Sequence, residues 1–175
     1  MTSQTLPSPR IPLHSCAALL DKLKWDYAQF EDGWTEYRTF NFVITAYHLY
    51  VDWIKSAGSR SQKLRKGIIS AHPQGKLLFN TLRDITNATK HWKLDAENKG
   101  RQIVSEVTSP QIADWNAYFN SGPVVYVTVG TARPSMSELA DMTVKCLNWI
   151  VNGTNSSIPA DIEDGLNTIF RPLIV

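Results

Sequence analysis

Apolar residues recur at intervals of three and four along most of this chain, and that spacing predicts amphipathic helices. We expect long helices over residues 13–30, 34–57, 75–94 and 135–152, and a short terminal helix over 161–170. The period changes near residues 124–129 (VVYVTV), a β-branched run that is typical of a strand. The sequence therefore predicts a mainly α-helical bundle with a small antiparallel β insertion between its third and fourth long helices.

Two short segments, 103–107 and 124–129, predict the strands of this insertion as a hairpin or a meander. Residues 112–118 are a candidate third strand. The next helix has a well-defined start, because Ser135 is a good N-cap residue and Glu138 follows three positions later. That spacing is the capping-box pattern, in which each residue satisfies a free backbone amide of the other.

The second helix is expected to bury one apolar stripe and to end at Ala57 and Gly58. The stripe consists of Tyr37, Phe40, Ile44, Tyr47, Val51 and Ile54. Residues 58–67 (GSRSQKLRKG) follow, and their composition predicts a basic linker between two helices.

The chain has 175 residues, of which 43% are hydrophobic, and this is enough apolar material for the core of one domain. Residues 1–12 contain three prolines and are expected to form a flexible N-terminal arm, with residues 13–175 as a single domain and the β insertion at about 101–130. The longest apolar stretch without a charge, residues 39–51, is too short to span a bilayer, so no membrane partner is expected.

The two cysteines, Cys16 and Cys146, lie far apart in apolar surroundings. They predict two buried thiols and a cytoplasmic, reducing compartment. The sequence contains no Cys/His cluster, no phosphate-binding glycine loop and no clustered carboxylates, so we expect neither a metal site nor a cofactor.

The net charge of +2 conceals an uneven distribution. Between Lys55 and Arg101 there are eleven basic and three acidic residues, a net charge of +8, and the rest of the chain carries −6. Such a segment is typical of phosphate contact, although a solvated helix face would have the same composition. The candidate nucleic-acid-binding residues in it are Lys63, Arg65, Lys66 and Lys93.

The third predicted helix carries a polar row, Arg83, Asn87 and His91, at intervals of four residues. These side chains share one helix face, and Lys90 flanks them. An imidazole can move a proton and a guanidinium can neutralise a phosphoryl oxygen, so the row is a candidate catalytic site. The alternative is an exposed polar face without chemistry.

A second polar pair, His48 and Asp52, lies in the middle of the second predicted helix. One interpretation is that the pair faces the third helix and orients Arg83 or His91 from a supporting position. The other interpretation, equally open, is that Asp52 joins the two helices through a salt bridge to Arg83 or to a lysine.

Two segments, TAYHLYVDW at residues 45–53 and LRDITNATKHW at 82–92, together with ADW at 113–115, resemble a group of bacterial HEPN-like proteins. The resemblance covers roughly residues 40–150. It implies a HEPN-like helical bundle that forms a homodimer, and a metal-independent ribonuclease that acts on RNA as a toxin or an anti-phage defence effector. A protein partner such as an antitoxin is implied as well.

In the chemistry that this resemblance implies, His91 is the general acid or base, Arg83 and Lys90 stabilise phosphoryl charge, and Asn87 positions the phosphate. The chain departs from the family pattern at Thr86, which occupies the usual arginine position. The nearest arginine, Arg83, lies one turn earlier. The alternative is therefore a non-catalytic HEPN-like module that binds nucleic acid, a nucleotide or a protein partner. A third interpretation is a protein that docks on another chain through aromatic side chains such as those of Trp92, Trp115 and Tyr118.

Overall fold

In a computed structural model of the chain, residues 14–30, 35–91, 102–108 and 125–171 are described. The helices are α1 (Cys16–Ala28), α2 (Glu36–His48), α3 (Ile54–Ser56), α4 (Arg60–Ala71), α5 (Pro73–His91), α6 (Met136–Asn152) and α7 (Ala160–Ile169). A π-helical turn, Leu49–Trp53, joins α2 to α3, and the strands are β1 (Val104–Thr108) and β2 (Tyr126–Val129). The predicted mainly helical fold with a small antiparallel sheet is confirmed, whereas the arm at 1–12 and the candidate strand at 112–118 lie outside the described residues.

The core is built around α6, which contacts α1, α2, α4 and α7. Its buried face includes Leu139, Cys146, Leu147 and Ile150 at helical spacing, which explains why this segment forms the central helix. Ser135 caps it in the predicted capping box with Glu138. None of the helices in the described ranges combines the length and the apolar character that crossing a bilayer requires.

The prediction of a basic linker at residues 58–67 is wrong, because α4 begins at Arg60 and runs through this segment. Ser59 caps α4, and Gln62 completes a capping box with it. The inner face of α4 then satisfies carbonyl groups at the C-terminal end of α6. The Gln62 amide donates to the Val151 carbonyl at 3.0 Å, and the buried Arg65 Nε donates to the Ile150 carbonyl at 3.0 Å.

The long second helix exists as predicted, but its buried stripe is rotated from the predicted one. Tyr37 is 82% exposed and Phe40 is 37% exposed, although both were expected inside. Of the predicted stripe, Ile54 is fully buried, and the other buried apolar residues of this segment are Phe42, Val43, Ala46, Leu49 and Tyr50. Apolar side chains surround this helix on most sides, so their spacing predicts a helix without selecting the face that is buried.

The sheet pairs β1 with β2 in antiparallel register, with Val107 opposite Val127 and an irregularity between Val104 and Glu106. After β2 the chain turns at Gly130, whose φ of +60° is a conformation that favours glycine. It then runs back along β2, where the Val127 amide donates to the Pro134 carbonyl at 2.9 Å. This return leads directly into α6.

Candidate functional site

His48 and Asp52 form a close side-chain pair at the junction of α2 and the π-helical turn. The His48 Nδ1 lies 2.6 Å from the Asp52 Oδ2, and the two side chains are 39% and 57% exposed. The four-residue spacing places both side chains on one helix face. Single π-helical turns within α-helices often occur at functional sites. This junction is therefore a candidate functional site.

The Asp52 carboxylate determines which imidazole nitrogen carries the proton in neutral His48. Because an ionised carboxylate only accepts hydrogen bonds, the Nδ1 of His48 donates to it. The lone pair of the Nε2 is then available to accept a proton from a bound molecule. A carboxylate that orients an imidazole in this way is a common arrangement in general acid–base catalysis.

The pair lies beside the helix that carries the predicted polar row. The Tyr50 ring of the π-helical turn stacks on Phe79 of α5 with 3.6 Å between ring centres, and Arg83 of α5 acts electrostatically on Tyr47. Tyr50 lies against Phe79. Tyr47, three residues before Tyr50, lies near Arg83, four residues after Phe79. The helices α2 and α5 therefore run in opposite directions. Burial raises the pKa of the Tyr47 hydroxyl, Arg83 opposes this rise, and the carboxylates of Asp52 and Asp84 add to it.

Arg83 and Asp84 join α5 to the start of the sheet. The Arg83 Nε and Nη2 donate to the Asp84 Oδ1 at 2.9 and 2.8 Å, and the Arg83 Nη1 donates to the Asn80 Oδ1 at 3.3 Å. The other oxygen of the buried Asp84 accepts from the backbone amides of Ile103 and Val104, at 2.6 and 3.2 Å. Arg83 is therefore held by a structural carboxylate, while its side chain remains 26% exposed.

The sequence left two roles open for Asp52, and the structure shows a third. The Asp52 carboxylate contacts His48 of its own helix, and the carboxylate that pairs with Arg83 is Asp84. No bridge between Asp52 and Arg83 or a lysine occurs among the ion pairs of the described residues. The salt bridge between the two helices, one of the two interpretations that the sequence left open, is thus not observed, and Asp52 pairs within its own helix.

The predicted row of Arg83, Asn87 and His91 lies on α5, with Asn87 half-buried. His91 is the last residue of α5, eight positions after Arg83, which is about 12 Å along the helix axis. Because α2 and α5 are antiparallel, this step leads away from Asp52. The backbone therefore does not bring His91 level with the His48–Asp52 pair, and the side chains of His91 and Lys90 lie outside the described atoms.

The predicted nucleic-acid-binding residues occupy different environments. Lys63 is exposed on α4, and Lys66 is half-buried beside the π-helical turn. Arg65 is only 6% exposed and bonds to the Ile150 carbonyl, so the expectation that it contacts nucleic acid at the surface is wrong. Lys93 lies outside the described residues.

Three residues near the pair were not identified as site residues from the sequence. Tyr47 precedes His48, Lys55 follows Asp52 by three positions on the same helical segment, and Asp84 is the single acid between Asp52 and Asp95. The isolation of Asp84 within a basic segment was a signal that it has cationic partners. In the parts of the chain that the structure describes, no group of three or more His, Cys, Asp or Glu side chains is placed to hold a metal ion.

Comparisons of the chain with protein-family models, with curated proteins and with solved structures found no match.

Proposed function

We propose that this protein is a metal-independent ribonuclease of the HEPN-like type, with His48 and Asp52 as its acid–base groups. The observation that carries the proposal is the 2.6 Å contact between the His48 Nδ1 and the Asp52 carboxylate on an exposed helix face. The contact prepares the opposite nitrogen of the ring for proton transfer. Lys66 on α4 adds positive charge near Asp52, which favours an anionic substrate.

The reaction follows from these groups. The Nε2 of His48 removes the proton of a ribose 2′-hydroxyl, and the resulting oxygen attacks the adjacent phosphorus. The bond from phosphorus to the 5′-oxygen breaks, a 2′,3′-cyclic phosphate forms, and the leaving oxygen takes up the proton that the imidazolium returns. Asp52 stabilises the imidazolium between the two proton transfers. This assignment gives the acid–base role to His48, whose carboxylate partner is observed, and leaves His91 as the competing candidate.

Cleavage of a labelled RNA oligonucleotide in the presence of EDTA tests this proposal. We expect wild-type protein to produce 2′,3′-cyclic phosphate ends, and His48→Ala to lower the rate by at least about 100-fold, because general acid–base catalysis contributes about that much. Asp52→Asn should lower the rate by a smaller factor. The matched control is His14→Ala, which changes an exposed histidine just before α1. This variant should cleave at the wild-type rate.

The variant His91→Ala separates the two histidines. If cleavage depends on His91 and not on His48, the assignment of the acid–base pair is wrong although the ribonuclease proposal survives. If no RNA is cleaved by folded wild-type protein, the enzymatic proposal is overturned. As a toxin or an anti-phage effector, the wild-type chain should slow the growth of a bacterial host on expression, and His48→Ala should not.

A second candidate function is a non-catalytic module that binds nucleic acid. The observation that favours it is the engagement of Arg83 with Asp84, since a guanidinium that donates two bonds to a structural carboxylate has fewer donors left for a phosphate. This candidate predicts RNA binding that weakens steeply with salt and is accompanied by no cleavage. The homodimer and a protein partner such as an antitoxin stay predictions under both functions.

A further inference from the structure

Lys66 of α4 extends across to the π-helical turn and is held there by neutral groups. Its Nζ lies 4.8 Å from the centre of the Tyr50 ring and 3.5 Å from the Val51 carbonyl oxygen. The Tyr50 ring is itself fixed, because it stacks on Phe79 and its hydroxyl lies 2.6 Å from the Ser70 Oγ. The ammonium group of Lys66 is therefore held in a defined and partly desolvated position.

The charged groups around Lys66 do not compensate the positive charge of its ammonium group. Burial lowers the pKa of Lys66, and the nearby ammonium of Lys55 lowers it further, while Asp52 opposes both effects. Asp52 already pairs with His48, and no carboxylate of the described residues forms an ion pair with Lys55 or Lys66. The geometry also places the two lysines side by side, because the Val51 carbonyl that accepts from Lys66 lies one helical turn before Lys55. Two neighbouring ammonium groups repel each other, and an anion bound between them would reduce that repulsion.

We propose that the surface between α3 and α4, with Lys55 and Lys66 as its cations, binds a phosphate group. Lys55 follows His48 by seven residues, about 10 Å along the helical axis, so a phosphate held there lies next to the acid–base pair without displacing it. The identification of the ligand as RNA rests on the proposed ribonuclease function. In that function the site holds a phosphodiester of the same strand that is not cleaved.

Binding of inorganic phosphate, measured by calorimetry at constant ionic strength, tests the site without RNA. We expect saturable binding by wild-type protein, and a loss of affinity of at least about tenfold in Lys66→Met and in Lys55→Met, since each variant removes one charge-assisted contact. Lys76→Met changes an exposed lysine on α5 and should bind within about twofold of wild type. An absence of saturable binding by wild type, or equal losses in all three variants, overturns the proposal.

Binding of a short RNA oligonucleotide to the inactive His48→Ala protein identifies the source of the phosphate. If RNA occupies the site, adding Lys66→Met should weaken RNA binding and reduce the salt dependence by about one counter-ion. If Lys66→Met weakens inorganic phosphate alone, the site belongs to a small phosphate compound and its assignment to RNA is overturned. Absence of cleavage by wild-type protein that still binds phosphate contradicts the ribonuclease, and intact cleavage by Lys66→Met contradicts a role of this site in it.

Discussion

Asp84 is the residue on which the attachment of the sheet to α5 depends. Its buried carboxylate accepts from two backbone amides and twice from the guanidinium of Arg83. Asp84→Ala leaves these donors without their acceptor, and we expect it to lower the free energy of unfolding by about 3–5 kcal/mol. Urea denaturation measures this loss. Asp141→Ala breaks the exposed pair between Asp141 and Lys145 and should cost less than about 1 kcal/mol, so equal losses in the two variants would contradict the structural role of Asp84.

The two cysteines are buried free thiols, as the sequence predicts, and burial raises the pKa of Cys146 to about 12. The folded protein thus retains a proton that the unfolded chain releases near pH 9. The stabilising effect is complete below pH 9 and is lost as the pH rises toward 12, at about 1.4 kcal/mol for each pH unit. Comparing urea denaturation of wild type and Cys146→Ala between these limits isolates this effect, because other groups titrate in both proteins. Parallel pH profiles would contradict it.

At the level of single elements, α4 gives the clearest test of the structure, because its composition predicts a flexible linker and the structure has a helix there. Gly67 lies within α4, and a Cβ added there meets nothing within 4 Å. Alanine has the higher helix propensity, so Gly67→Ala should raise the free energy of unfolding by about 0.5–1 kcal/mol. Thermal or urea denaturation detects a change of this size. A flexible linker would show no such gain.

A second glycine nearby is the control for this prediction. A Cβ added at Gly75 of α5 would lie 2.5 Å from the Ile69 carbonyl oxygen of α4, a backbone atom that has little room to move. We therefore expect Gly75→Ala to lower the free energy of unfolding by about 1–3 kcal/mol. The same substitution at two helical positions eight residues apart should change stability in opposite directions. A gain at both positions would mean that α4 and α5 are not packed as described.

The elements that the sequence predicted were those with apolar residues at helical spacing, a local cap or a β-branched run. The start of α6 followed from Ser135 and Glu138, and the strand at 126–129 followed from its β-branched residues. The helix α4 was missed because its capping box, Ser59 with Gln62, was hidden in a polar and basic stretch that has few apolar residues to set a period. The burial of Arg65 depends on the end of α6, which lies far away in sequence.

For the whole molecule, the sequence shows which helices carry polar side chains at helical spacing but does not show how these helices meet. His48 and Asp52 were identified as a pair because their spacing is local. The relation of that pair to Arg83, Lys55 and Lys66 depends on the antiparallel packing of α5 and on the position of α4. Neither follows from spacing within one helix. The charge of +8 between Lys55 and Arg101 is likewise divided by the fold, since Arg65 lies in the interior and Lys63 at the surface.

Tyr50 connects three parts of the molecule, since it belongs to the π-helical turn, stacks on α5 and bonds to Ser70 of α4. Its ring also faces the ammonium of Lys66, which is a residue of α4 as well. If α4 opens locally, it takes Ser70 and Lys66 away from the ring together. Local opening of α4 and loss of the proposed phosphate site are then the same event. A bound phosphate should slow hydrogen exchange along α4, because it stabilises the closed state alone.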